Sequence, residues 1–303
     1  MKRSGAYLQL VRAANTPTAV ADILAGALLV GVGAEQLDRL AFLCGASVCL
    51  YSGGMALNDV ADAHRDALLR PERPIPSGRV SRRSAAILSI VLLGAGLGLA
   101  AVADCRHAST GGIPGGYPAT VLATVLIGFI VAYDLLLKAT PLAPAAMGMC
   151  RSLNLMLGMS LAMPLIGKTQ LSAVALIWVY ITSVTLFARK ESQAGTTIGL
   201  RLGWWGMWLA IVGLAAFPLV SAANSQWHWI GVLVLAGLML RFGWPALCSA
   251  EPDHVQQAVK TMVLAIILVD ATLVLAVRGL LPGMVVALLL LPSIGLSRVL
   301  RVT

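Results

Sequence analysis

The sharpest chemical signal in the sequence is the row Asn58-Asp59-x-x-Asp62-x-x-x-Asp66. On a helix, positions 58, 62 and 66 advance about 40° per step and share one face within two turns. Oxygen ligands so placed suit Mg²⁺, which takes few protein carboxylates and fills its shell with water and substrate phosphate. Asn58, Asp59, Asp62 and Asp66 are therefore the candidate metal ligands. Arg65, Arg70, Arg73 and Arg79 lie in or just after the row, and guanidinium forks match phosphate oxygens. Together they read as a site for a metal-bound phosphate or diphosphate. The competing reading is a solvated helix end that happens to be acidic. The stretch Arg70-Pro-Glu-Arg-Pro-Ile-Pro-Ser-Gly78 cannot continue a helix, because three prolines and a glycine fix a rigid loop beside the acids. It serves as a stiff connector, as a lid over the phosphate, or as both.

These residues must be positioned by elements that live in a bilayer. Of 303 residues 58% are hydrophobic and only 12% charged, with a mean hydropathy of +0.86. Soluble domains carry roughly twice that charged fraction. Apolar runs predict ten spans, near 15–34, 39–58, 84–104, 117–137, 142–166, 170–188, 203–222, 228–248, 257–277 and 281–297. Continuous apolar runs of about twenty residues are helices that cross a ~30 Å hydrocarbon core, not alternating strands. One integral membrane domain over 1–303 is expected, with the basic start kept as part of a first span rather than cleaved as a leader. With the N-terminus in the cytoplasm, only Arg39, Arg106, Lys168 and Arg278 fall outside. The other 18 of 22 basic residues then lie inside, as the positive-inside rule requires. That bias accounts for the net charge of +9 without nucleic acid. The five cysteines form no CxxC pair or metal spacing and read as buried small hydrophobes. His64 faces away from the 58/62/66 row, and no histidine metal site or nucleophile pairing can be drawn.

The segment NDVADAHRD followed by RPERPIPSGRVS resembles the first motif of the UbiA superfamily of intramembrane prenyltransferases. The similarity extends to Arg12 and Asn15 entering the first span, to Tyr133 and Lys138 after the fourth, and to Arg151 and Asn154 in the fifth. YDLLLKATPLAP, then MGMCRSLNLMLGMS, looks most like the UbiA-like subgroup called EboC. The resemblance implies an all-α polytopic bundle, a nine-helix core with a tenth span, around a central cavity open sideways to lipid. It implies an isoprenyl diphosphate held through Mg²⁺, whose C1–O bond ionises, and a small acceptor that captures the allylic cation. Candidate diphosphate-binding residues are Arg12, Asn15, Arg65, Arg73, Tyr133, Lys138, Arg151, Asn154, Arg189 and Lys190. Candidate catalytic acids are Asp62, Asp66 and Glu191.

One feature of the family is missing from the sequence. Typical members carry a second aspartate-rich motif in the sixth span, whereas the matching stretch here is Leu186-Phe-Ala-Arg189-Lys190-Glu191-Ser-Gln. Either Arg189 and Lys190 meet the diphosphate directly, or they merely end a span, with Glu191 pairing with one of them. Two other functions compete with prenyl transfer: a non-catalytic isoprenoid binder or carrier, and a glycosyl-type transferase acting on a polyprenyl phosphate. Arg12, Asn15 and Asp22 share a face of the first span, and Arg151 and Asn154 a face of the fifth. Charges inside a span normally face a cavity or a partner. Asp22 and Asp270 sit deeper, where pairing within the bundle competes with accepting a proton from the acceptor. Trp204, Trp205, Trp208, Trp227 and Trp229 fall at span ends and read as an aromatic belt. Ten spans place both termini on the side of the Asp62 loop, so a C-terminal reporter should be active in the cytoplasm. Activity only outside the cell would restore an odd number of spans.

Overall fold

A computed structural model describes residues 3–109, 118–162, 167–192, 197–221, 225–249 and 251–300. Side chains at 3, 4, 107–109, 190–192, 197, 299 and 300 are outside that description, so the side-chain roles expected of Lys190 and Glu191 lie outside the described residues. All described elements are helices: α1 (Arg3–Leu10), α2 (Thr16–Val30), α3 (Leu37–Leu69), α4 (Arg82–Ser109), α5 (Pro118–Ala132), α6 (Ala143–Met159) and α7 (Lys168–Ser192). There follow α8 (Thr197–Ser221), α9 (His228–Leu238), α10 (Trp244–Ser249), α11 (Pro252–Leu264), α12 (Ile266–Arg278), α13 (Leu280–Ala287) and α14 (Leu290–Leu300). Among the described residues nine helical stretches are long and apolar enough to cross a membrane. The remaining expected run, 142–166, folds as α6 and a 3₁₀ turn at Ser160–Ala162. Arg151 and Asn154 make it less apolar than its neighbours.

The longest element explains how acids reach the membrane surface. The 33 residues of α3 span about 50 Å at 1.5 Å per residue, well beyond a ~30 Å hydrocarbon core. Its apolar first part packs along α4, and its C-terminal turns carry the acidic row past the bundle, where His64, Arg65, Leu68 and Leu69 are exposed. The following loop makes its own turns, with Ser77 N donating to Arg73 O at 3.0 Å and Val80 N to Pro74 O at 3.0 Å. Gly78 takes φ 71° there, a conformation that costs a residue with a Cβ about 1–2 kcal/mol.

At the centre, α2 packs on α3, α6 and α12. It meets α6 through two glycines: a Cβ on Gly26 would lie 2.2 Å from Leu155 O, and one on Gly158 2.2 Å from Ile23 O. In lipid no hydrophobic drive separates helix from acyl chain, so close backbone packing through small residues does the joining. The far end of the bundle is pinned by buried Arg39, which donates to Ala103 O at 3.2 Å and Leu161 O at 3.4 Å. Arg278 Nε donates to Leu28 O at 2.7 Å.

Two expectations about side chains are corrected. Cys105 and Cys248 are exposed rather than buried, because the lipid-facing surface of a membrane bundle is as hospitable to an apolar thiol as its interior. Trp204 is not part of a surface belt. It is buried, with its ring 6.0 Å from those of Trp208 and Trp244, and a Cβ on Gly243 would meet it at 2.7 Å. The α2–α6 contact yields a direct prediction. Gly158→Val should lower stability by about 1–3 kcal/mol, the usual cost of overpacking, read as an earlier unfolding midpoint in detergent. Gly98→Val, where a Cβ meets nothing within 4 Å, should leave that midpoint in place.

Candidate functional site

A cavity of about 320 Å³ opens between α2, α3, α5, α6, α7 and α11. Its apolar walls include Leu50, Leu126, Ile130, Val184, Val259 and Val263, and its polar lining includes Arg12, Asn15, Asn58, Tyr133, Asp134, Arg151 and Asn154. Six of the candidate diphosphate or metal residues thus face one space, although they come from four separate parts of the chain.

Arg12 reaches this place through a strained backbone. Its φ and ψ are 48° and 49°, and it is the one non-glycine residue with positive φ among those described. A residue held there costs of order 1–3 kcal/mol and marks a constrained position. The bend ends α1, starts the turn Ala13–Asn15, and aims the guanidinium at α3, where Nη2 lies 3.8 Å from Asp59 Oδ1.

Tyr133 and Lys138 are placed by a π-helical turn, Tyr133–Leu137, at the end of α5. Lys138 N donates to Tyr133 O at 3.0 Å, so one residue more than an α-turn allows is accommodated. The wider turn directs buried Asp134 to α3, where Asn58 Nδ2 donates to its Oδ1 at 2.7 Å. Lys138 Nζ is paired with Asp62 Oδ2. From the proline loop, Arg73 Nη1 binds Asp66 Oδ2 at 2.7 Å and approaches Asp59 Oδ1 at 3.5 Å.

The acidic row is therefore engaged throughout: Asn58 with Asp134, Asp62 with Lys138, Asp66 with Arg73, and Asp59 between Arg12 and Arg73. Among the described residues no three acids, histidines or cysteines converge as a self-sufficient metal cage. Mg²⁺ rarely requires one, since it is commonly held by one or two carboxylates with water and phosphate. Asp59 Oδ1 is buried without a hydrogen bond, and Asn58, Asp62 and Asp66 add hard oxygen donors on the same helix. The donor set fits that ion.

Arg151 and Asn154 occupy a second polar region of the wall. Arg151 donates to Asp22 Oδ2 at 3.0 Å and Thr18 Oγ1 at 2.6 Å, with its guanidinium carbon 5.4 Å from the Tyr51 ring centroid. Asn154 donates to Asp22 Oδ2 and Ala19 O, each at 2.9 Å, and accepts from Ser47 at 2.8 Å. Asp59, Asp62, Asp66, Arg73 and Lys138 pair outside the cavity lining, and two further candidates do not line it either. Arg65 is exposed on the protruding end of α3, and Arg189 donates to the carbonyl of Thr140, tying α7 to the loop after Lys138. Sequence reasoning passed over Asp134, Tyr51 and Ser47. Asp134 follows Tyr133 directly, but only the π turn reveals where it points.

The family model of the UbiA prenyltransferase family matches residues 19–267. The chain belongs to that family. Nine apolar helices and this membership make it an integral, multi-pass membrane protein. Similar curated proteins include the digeranylgeranylglyceryl phosphate synthases of Methanopyrus kandleri, 43% identical over 97 residues (32% of this chain, 35% of the relative), and Ignicoccus hospitalis, 43% identical over 105 residues (33% and 34%). These matches span about a third of the relatives' length. Among solved structures, the apo form of a UbiA homolog from Aeropyrum pernix K1 superposes with a TM-score of 0.65 at 16% identity, over 85% of this chain and 96% of that one. A UbiA homolog from Archaeoglobus fulgidus bound to DMAPP and Mg²⁺ gives 0.59 at 12% identity, over 88% and 98%. A structure concerned with digeranylgeranylglyceryl phosphate synthase in membranes gives 0.64 at 17%, over 91% and 99%. At these identities the likeness shows the shared fold.

Arg73 yields this subsection's prediction. It is the nearest cation to Asp66 and one of two beside Asp59, and all three side chains are at most 13% exposed. Arg73→Ala should cost about 3–5 kcal/mol, the typical penalty for stranding buried charge, seen as a lower unfolding midpoint. Arg65→Ala, at an exposed position, should shift it by less than about 0.5 kcal/mol.

Proposed function

We propose that this chain transfers an isoprenyl group from an isoprenyl diphosphate to a small acceptor, with Mg²⁺ as the required ion. The observation that carries the reading is the cavity itself, which joins an apolar lining to a cationic and amide head beside the acidic row of α3. A hydrocarbon chain fits the first and a diphosphate the second. The digeranylgeranylglyceryl phosphate synthases among the relatives and the DMAPP- and Mg²⁺-bound homolog support it.

In this reading Asn58, Asp62 and Asp66, with Asp59 beside them, hold the ion. When bound, Mg²⁺ neutralises charge on the leaving diphosphate. Arg12 and Asn15 meet phosphate oxygens from the turn before α2, and Tyr133 donates from the π turn. Arg73 and Lys138 already sit on the same acids, so a diphosphate arriving there finds cations within a side chain's reach and loosens their hold on Asp66 and Asp62. The C1–O bond breaks with its electron pair leaving on the diphosphate, and preorganised donors stabilise that charge. Leu126, Ile130 and Val184 keep water from the allylic cation. The acceptor's nucleophile then bonds to C1 and passes its proton to the departed diphosphate or to water. The N-terminus and the loops bearing Arg73 and Lys138 face the cytoplasm, where soluble diphosphates and Mg²⁺ are at hand.

The test uses purified protein, Mg²⁺ and labelled isoprenyl diphosphates of several chain lengths. Calorimetry should show diphosphate binding that requires Mg²⁺ and weakens at least about tenfold in Asp62→Ala, the loss of one charged ligand. Tight, metal-independent binding in that variant would overturn the metal assignment. Equal affinity for the diphosphate and its prenyl alcohol would instead make the protein an isoprenoid carrier.

A further inference from the structure

Behind the cavity wall lies a pair of acids that the proposed reaction does not use. Asp22 on α2 and Asp270 on α12 are both fully buried on helices that pack against each other, and each carboxyl group acts on the other. Asp22 Oδ2 takes Arg151 Nη1 at 3.0 Å and Asn154 Nδ2 at 2.9 Å. Its other oxygen, Oδ1, has no donor, and neither oxygen of Asp270 has one. The charged groups acting on Asp270 are Asp22 and Arg151, so one guanidinium faces two carboxyl groups inside a span.

Two adjacent carboxylates cannot both stay ionised in such surroundings, and ionised carboxylates are acceptors only. A single proton resolves both difficulties. An Asp270 O–H gives Asp22 Oδ1 the donor it lacks, uses one of the two orphaned oxygens of Asp270, and leaves one negative charge opposite Arg151. We propose that Asp22 and Asp270 share one proton, and that Asp270 is a positioning residue. By donating to Asp22 Oδ1 it holds the Asp22 carboxylate so that Oδ2 keeps Arg151 and Asn154 in the cavity wall. The proton stands on its own, whereas the effect on turnover rests on the transferase reading above.

Two measurements judge this. Infrared spectroscopy of the purified protein at neutral pH reads the carbonyl stretch of a protonated carboxylic acid, which shifts in D₂O. The parent should show such a band and Asp270→Asn, an isostere that folds with the same shape, should lose it. No band, or a band that survives Asp270→Asn unchanged, overturns the shared proton. In prenyl transfer, Asp270→Asn keeps a donor and should retain the parent's kcat/KM. Asp270→Leu keeps the volume without the donor and should lower kcat/KM by about tenfold or more, as stranding part of a buried ion pair does. Equal loss in both variants overturns the positioning role, because packing alone would then account for it. If the parent turns over no isoprenyl diphosphate, the transferase reading fails and the infrared band still decides the proton.

Discussion

Arg151 donates to Asp22 across the α2–α6 contact at 3.0 Å, with Asp22 fully buried and the Arg151 side chain only 12% exposed. Much of the bundle's centre depends on that pairing being possible. A charge at mid-membrane costs about 2.5–3.5 kcal/mol on insertion scales, so each must find its counterpart on a neighbouring helix. The counterpart is reachable only because Gly26 and Gly158 let the two backbones touch. With side chains at either position the helices would stand apart, and Arg151 and Asn154 would lose their common acceptor. The same pairing turns these two side chains along the wall of the cavity, so the helix contact and the shape of the site have one cause.

At the other polar region the organising fact is mutual neutralisation between elements far apart in sequence. The acidic row comes from α3, while its partners come from the strained turn at Arg12, the proline loop at Arg73 and the π turn before Lys138. None of those three is regular helix. A helix fixes side chains at 100° intervals, and a left-handed residue, a rigid loop and a widened turn each supply a direction that this periodicity withholds. The strain at Arg12 is repaid by placing its guanidinium between the Asp59 carboxylate and the cavity.

How much of this was legible in the sequence follows from the range of each interaction. The helical segments depend on local hydropathy and were readable from apolar runs; among the described residues nine are long and apolar enough to span, and the expected run at 142–166 is a helix that falls short. The face shared by Asn58, Asp62 and Asp66 follows from periodicity within one helix and was equally readable. Arg151 and Asn154 were expected to face a cavity or a partner because charges in lipid must, and they do both. Pairings between distant segments were not legible. Asp134 meets Asn58 across 76 positions, and no local pattern announces it. Trp204 looked like an interfacial residue because it stands at a span end, but the neighbouring span brings Gly243 against it and buries it. Arg65 lies on the right side of α3 by angle, yet its side chain is exposed while its neighbour Asp66 is buried against Arg73.

The missing second aspartate motif takes on a physical meaning once Arg189 is placed. Two aspartates at the end of the sixth span would add negative charge that further cations, a second metal ion among them, would have to balance. In this chain the end of α7 carries Arg189, which donates to the carbonyl of Thr140, two residues beyond Lys138. That contact anchors the loop on which Lys138 stands, and Lys138 in turn pairs with Asp62. The end of α7 is thereby coupled to the acidic row through backbone and a cation rather than through a bridging metal. Such a coupling needs no ion to be complete, so the acids of α3 are held in place by the protein's own cations. Under the proposed transferase reading, one Mg²⁺ would suffice for these carboxylates, and Arg12, Arg73 and Lys138 would carry more of the leaving group's charge.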